Sequence, residues 1–193
     1  MRIIAGSKRG MNLFSPEGKV SRPITDRVKE SLFNVLYKYN LPAGAVAADI
    51  FCGVGSLGLE AISRGAEFVT FTERDIKIAS VLKKNINKAG FNECSKVLNA
   101  DAFKVVDKIV DSGRRKCNLI FVDPPYIMTG NNDESLKMAG LMNLLPEQLN
   151  PGGIVIVRTA STTVLSEQYG QLKMLERRQW GTMACTFYSE VSK

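Results

Sequence analysis

Asp49-Ile50-Phe51-Cys52-Gly53-Val54-Gly55-Ser56-Leu57-Gly58 closes an apolar run and opens a helical one, which places its glycines on a strand-to-helix turn. The spacing is G-x-G-x-x-G. Glycines there let the backbone turn sharply and lie close to a bound molecule. Glu73 stands 20 residues beyond Gly53, at the end of the next strand-like run, where a carboxylate can accept hydrogen bonds from ribose hydroxyls. The loop by itself fits NAD(H) equally well. Against a dinucleotide stands Asp49, four residues before Gly53: a carboxylate repels a pyrophosphate and suits an ammonium group. S-adenosylmethionine carries an ammonium, a sulfonium and a ribose but no phosphate.

Outward from this loop, strand-like and helix-like segments alternate. Strands are expected over residues 46–51, 68–73, 96–99, 118–123 and 154–159, and helices near 57–64, 75–89, 101–111 and 134–149. Gly65 and Gly90 read as helix stops, and Pro151-Gly152-Gly153 as the turn into the fifth strand. Residues 172–180 and 183–189 read as an antiparallel hairpin meeting at Gly181. The expected fold is α/β: a mostly parallel, seven-stranded Rossmann-like sheet with helices on both faces. Residues 1–40 differ in character. Segments 2–5 and 11–14 flank Gly6-Ser7-Lys8-Arg9-Gly10 as a small hairpin. Thr25 then caps a helix with Asp26 in its first turn and Val28, Leu32, Val35, Leu36 and Tyr39 at helical spacing. One domain over residues 1–193 is expected, with 1–40 as an extension of the core.

The 193 residues contain no histidine, which removes Ser-His-Asp triads and His-ligated metal sites. Cys52, Cys94, Cys117 and Cys185 match no paired-ligand spacing, so buried reduced thiols are expected and no metal. No apolar run exceeds four residues, and the N-terminus has no stretch of signal-peptide length, so no membrane association and a cytoplasmic location are expected. Of the net charge of +7, residues 1–29 hold +5. Arg2, Lys8, Arg9, Lys19, Arg22, Arg27 and Lys29 supply it. Such an arm suits phosphate contact, and equally a solvated basic end. Arg22 and Arg27 could instead pair with Asp26 or Glu30 at the helix terminus.

A second motif, Asp123-Pro124-Pro125-Tyr126, follows the apolar Leu119-Ile120-Phe121-Val122. Two prolines hold the chain extended and donate no backbone hydrogen bond, so the segment projects rigidly from the strand's carboxyl end, where open α/β sheets bind ligands. A carboxylate, an adjacent carbonyl and an aromatic face together suit an exocyclic amine: two acceptors for its hydrogens and a ring on which its base can stack. Residues 127–133, rich in Gly and Asn, could form a lid or an idle loop.

The pair Asp49-x-Phe51-x-Gly53-x-Gly55 and Asp123-Pro124-Pro125-Tyr126 resembles that of class I S-adenosylmethionine-dependent methyltransferases acting on amino groups of nucleic-acid bases. The likeness narrows with Met1-Arg2-Ile3-Ile4-Ala5-Gly6, Arg22-Pro23-Ile24-Thr25-Asp26-Arg27-Val28-Lys29-Glu30-Ser31-Leu32-Phe33-Asn34, Gly58-Leu59-Glu60-Ala61 and Ser63-Arg64-Gly65. These resemble the RsmD family, bacterial 16S rRNA (guanine-N2)-methyltransferases, essentially end to end. The resemblance implies that Asp49, Phe51, Gly53 and Gly55 hold the methionine end of S-adenosylmethionine and Glu73 the ribose. Asp101, with Ala102 beside it, would meet the adenine, and Asp123, Pro124, Pro125 and Tyr126 the guanine. Arg2, Lys8, Arg9, Arg22 and Arg27 would touch RNA. The implied partner is 16S rRNA within a partly or fully assembled small subunit, met by a monomer. Two positions depart from the family: Ile24 replaces a common threonine, and Arg158-Thr159 stands where an acidic residue is more usual.

Overall fold

The computed structural model describes residues 1–16, 24–104, 108–109, 116–125 and 132–190, with side chains from 136 onward in the last segment. Helix α1 spans Asp26–Leu36, and the sheet begins with β1 (Val46–Ile50). Next come α2 (Ser56–Ser63), β2 (Phe68–Thr72), α3 (Ile76–Ala89), β3 (Ser95–Leu98) and β4 (Cys117–Val122). The chain continues through α4 (Asn132–Leu144), β5 (Leu149–Ala160), β6 (Gln168–Tyr169), β7 (Leu172–Trp180) and β8 (Met183–Glu190). The order across the sheet is β3-β2-β1-β4-β5-β8-β7-β6. The first five strands are parallel and the last three antiparallel. The seven expected strands are all present, and β6 adds an eighth of two residues.

Side-chain alternation assigns the two faces. Ala47, Phe71, Leu119, Phe121, Ile154 and Ile156 pack with α1, α2 and α3. Ala48, Ile50, Ile120, Val122, Val155 and Val157 pack with α4 and Ala102. Helix α1 begins where Thr25 accepts a hydrogen bond from Val28 N, and α3 where Asp75 accepts from Lys77 N and Ile78 N. Gly90 ends α3 in the left-handed conformation.

Three expectations need adjustment. Pro151-Gly152-Gly153 is not a turn before the fifth strand but lies within β5. The register moves from Cys117 opposite Leu149 to Leu119 opposite Ile154, so the extra residues bulge out. Residues 101–111 open with a single 3-10 turn, Ala102–Lys104, and most of the rest lie outside the described residues. The N-terminal hairpin has one bridge, Arg2 opposite Asn12, flanked by bonds from Ile3 N to Met11 O and from Gly10 N to Ile3 O.

That hairpin joins the core cluster through Ile3 and Leu13. Beneath it lies a polar network. Glu60, buried on α2, accepts from Ile4 N and Ala5 N and pairs with Lys29 (3.4 Å) and Arg64 (2.7 Å). Asn85 on α3 bonds both Phe14 backbone groups and Val54 O in the glycine loop. Ile24 is buried in the same core, an apolar contact that a threonine would make less well.

Candidate active site at the strand carboxyl ends

Register brings the two motifs together. Asp49 pairs with Phe71 and Phe121, and Ile50 with Thr72 and Val122; Val122 in turn pairs with Val157. One residue further, Phe51, Glu73, Asp123 and Arg158 therefore form a row across β1, β2, β4 and β5. Backbone bonds continue into it: Asp123 N donates to Ile50 O (3.1 Å), and Glu73 N to Leu98 O (3.1 Å). By alternation Asp49, Glu73, Asp123 and Arg158 share the face of the sheet that α2 covers.

Asp49 is 1% exposed, and its Oδ2 accepts from Gly58 N (2.8 Å) in the first turn of α2, satisfying a helix-end donor. Burial pushes its carboxyl up to about 8, and the nearby carboxylates Asp123 and Glu73 push the same way. Without a cation beside it the group therefore holds its proton at neutral pH. Glu73 is preorganised: Oε2 accepts from Gly53 N (3.1 Å) and Oε1 from Asp75 N (2.8 Å). Each oxygen keeps a second acceptor site.

The glycines divide by role. A Cβ on Gly55 would lie 2.5 Å from Leu82 Cδ1, and one on Gly58 2.3 Å from the Phe71 ring, so helix packing requires both. Gly53 has φ +55° with nothing within 4 Å of where a Cβ would stand. It is the open part of the cradle. Phe51 also has positive φ (61°), unusual for an aromatic residue, and its ring meets Phe103 edge-on at 5.4 Å. Ala100 N donates to Glu73 O, which sets Asp101 and buried Ala102 close after Glu73 on the neighbouring strand end. Asp101 accepts from Phe103 N.

Asp123 has 17% of its side chain exposed, and its Oδ1 accepts from Arg158 Nε at 2.5 Å. Burial raises its carboxyl, while the Arg158 guanidinium opposes that rise. Pro124 and Pro125 are described beside it; Tyr126 and most of 127–133 lie outside the described residues, with 132–133 opening α4. Arg22, Pro23 and Lys19 lie outside them as well.

The basic arm is less free than its charge implies. Lys29 is fully buried, donating to Arg2 O and Ser56 Oγ besides pairing with Glu60. Arg2, not Arg27, pairs with Asp26 (2.7 Å), and Lys8 sits 6.0 Å over the Phe91 ring. Arg9 and Arg27 are exposed. A cavity of about 230 Å³ runs between Arg2, Arg9, Asp26 and Glu30.

Sequence reading overlooked Ile76 and Asn85. Ile76, 73% exposed, opens α3 three residues after Glu73. Asn85 interrupts the apolar positions Ala79, Leu82, Ile86 and Ala89 of α3, a visible signal of a buried polar anchor. All four cysteines are free, three of them buried. Among the described residues no helix is long and apolar enough to cross a membrane.

The donor set fits S-adenosylmethionine better than a dinucleotide: buried Asp49 awaits a cation, Glu73 offers acceptors, and Gly53 leaves room for close approach. Three comparisons place the arrangement. A putative rRNA methyltransferase of Bacillus subtilis, YlbH, is 32% identical over 194 residues, covering 98% of this chain and 99% of its own. The ribosomal RNA small subunit methyltransferase D of Haemophilus influenzae is 39% identical over 127 residues, an alignment covering 65% of this chain and 64% of that protein. The solved structure of a putative methyltransferase from Escherichia coli, YhhF, superposes with a TM-score of 0.80 at 30% identity, covering 100% and 99% of the two chains. The family described as "Conserved hypothetical protein 95" matches residues 1–189, and the chain belongs to this family, the RsmD family of rRNA methyltransferases.

Proposed function

We propose that the protein methylates the exocyclic N2 of a guanine in 16S rRNA, within a partly or fully assembled small ribosomal subunit. That it is an S-adenosylmethionine-dependent rRNA methyltransferase goes with its family. The amino group, the base and the particle are this reading's own additions. The observation that supports the amino-group assignment is the row at the strand ends, where the bond from Asp123 N to Ile50 O ties the acceptor motif to the cofactor loop; the base and the particle follow from the resemblance to the family.

The cofactor supplies an electrophilic methyl group, so the chain's main task is positioning, worth up to about 7–11 kcal/mol of the barrier. Asp49 meets the ammonium, Glu73 the ribose hydroxyls, and Asp101 the adenine amine; Ala102 and Ile76 give the adenine ring apolar faces. Asp123 and the Pro124 carbonyl accept the hydrogens of the target amine. They stabilise positive charge as it develops on that nitrogen. Asp123 or water then takes the proton. Pro125 keeps the segment extended, and Tyr126 stacks on the extruded base, returning about 1–3 kcal/mol. Arg2, Lys8, Arg9, Arg22 and Arg27 touch phosphates. The chain acts as one domain and as a monomer, in the cytoplasm where its substrate is found.

Labelled S-adenosylmethionine is incubated with small-subunit particles, free rRNA or duplex DNA, and nucleosides are analysed after digestion. N2-methylguanosine from particles or rRNA is expected. Label appearing in DNA alone, or in a base other than guanine, overturns the reading.

A further inference from the structure

Helix α3 carries a charge that the balance of the whole chain hides. Its 14 residues, Ile76–Ala89, hold Lys77, Lys83, Lys84 and Lys88 and no Asp or Glu. Ala79, Leu82, Asn85, Ile86 and Ala89 are buried, whereas all four lysines are exposed. At about 100° per residue, Lys77, Lys84 and Lys88 fall within about 40° of one another round the helix, a straight stripe about 16 Å long. Lys83 stands about 100° to one side of Lys84. Surface helices ordinarily intersperse the two signs, and like charges one turn apart, as at Lys84 and Lys88, weaken a helix. No acid within α3 offsets them. A stripe of one sign fits a partner of the other.

The two ends of the stripe say which partner. Lys77 follows Glu73 by four residues, at the rim of the strand-end site. Lys88 lies against the N-terminal hairpin, donating to Asn12 O (2.7 Å) with its Nζ 4.5 Å over the Phe14 ring. Phe14 is 48% exposed, yet its backbone is fixed on both sides by buried Asn85, which accepts from Phe14 N (2.7 Å) and donates to Phe14 O (3.1 Å). A rigidly held aromatic face beside an ammonium matches an unpaired nucleotide: the ring stacks on the base and the cation meets the phosphate. The bond to Asn12 uses one of the three ammonium donors of Lys88, leaving two for a phosphate. Strand β2, which leads into α3, lies two strands from β4, about 10 Å across the sheet. An RNA presenting a base at Asp123 therefore reaches α3 within a few nucleotides. We propose that α3 and Phe14 form a second RNA-contacting face: Lys77, Lys84 and Lys88 bind phosphates of a single-stranded segment, and Phe14 stacks one of its bases.

This rests on the reading of RNA as the substrate, and the experiment separates the two. Wild-type protein is first assayed for salt-dependent filter binding to unmodified 16S rRNA transcript and to small-subunit particles. Binding to neither refutes the substrate and this face together. Where wild type binds, Lys77→Gln/Lys84→Gln, which leaves the hairpin contact of Lys88 intact, is expected to flatten the slope of log affinity against log salt by about 1.4. Lys84→Gln alone flattens it by about 0.7, and Lys83→Gln, equal in net charge but off the stripe, by much less. Phe14→Ala weakens binding about 5- to 150-fold with the slope kept. Cofactor calorimetry, expected to match wild type throughout, checks that each variant is folded. An unchanged slope in the double variant, or an equal shift from Lys83→Gln, overturns the stripe, and wild-type affinity in Phe14→Ala overturns the stacking. Binding lost on particles but kept on naked transcript places an acidic protein on α3 and overturns the proposal as well.

Discussion

The strand-end row and the N-terminal arm both concentrate charge, yet they use it oppositely. In and beside the row, Asp123 and Asp49 are held in burial that raises both carboxyls. Such groups are costly to the fold, which marks the place as a candidate ligand site. In the arm, charge is largely spent on the fold. Lys29 has its ammonium buried against Glu60, and Arg2 is paired with Asp26. Counting Lys and Arg therefore overstates what the arm offers RNA, whereas the few carboxylates at the strand ends lie where open α/β sheets bind ligands.

The strongest way to break this contrast is Lys29→Met. If the arm is fastened by the buried network, removing Lys29 takes one of the two cations, Lys29 and Arg64, paired with Glu60 and costs about 3 kcal/mol, the lower end for a broken buried pair. Urea denaturation measures it. A variant as stable as wild type would make the arm a loosely attached basic tail after all. The opposite pattern is expected of Asp123→Ala: folding and cofactor affinity are kept, while turnover falls about 10²- to 10³-fold. Single-turnover methyl transfer beside cofactor calorimetry reads both. Wild-type turnover in that variant would remove the row's claim to the chemistry.

Asp49 sharpens the contrast through pH. Its folded value of about 8 lies far above that of a solvated carboxyl, so the native state holds a proton that the unfolded chain releases. The resulting stability is full below the unfolded value near 4 and is lost as pH rises through about 8. Asp49→Asn should therefore gain on wild type as pH goes from 5 to 9, followed by Tm. Cofactor binding runs the other way. Meeting the ammonium requires the ionised form, so wild-type affinity rises with pH up to about 8, at most about tenfold per unit, with a proton released. The asparagine variant should bind about 10- to 100-fold more weakly, without that slope.

Much of this geometry was legible in the sequence. The alternating segments gave the parallel strands, because fully buried strands read as apolar runs between glycine and proline stops. Asp49, Gly53, Glu73 and Asp123 follow from the place of each motif at a strand end. What did not follow depends on contacts between distant segments. The Asp123 to Arg158 pair needs the β4–β5 register, which the bulge at Pro151-Gly152-Gly153 conceals from sequence alone. Burial of Lys29 needs α1 to dock on α2, and nothing in a run of basic residues tells a solvated lysine from one under a hairpin. Gly55, expected at the cofactor, is in addition packed so closely on Leu82, a neighbour 27 positions away, that a Cβ would lie 2.5 Å from it.

The smallest expected effect tests what remains of the arm. Arg9 and Arg27 are exposed, without the partners that hold Arg2 and Lys29. If the arm contacts about five phosphates in single-stranded rRNA, log affinity falls against log salt with a slope near −3.5, at about 0.7 per phosphate. Replacing Arg9 and Arg27 together by alanine should shift that slope by about 1.4 while leaving turnover at saturating RNA unchanged. Replacing Arg2 should change it less, since its guanidinium already has a carboxylate at 2.7 Å. Salt-dependent filter binding distinguishes the cases. Equal slopes for the Arg9/Arg27 variant and wild type would mean that the RNA backbone follows another face, and that the arm's exposed charge, like its buried charge, serves only the protein itself.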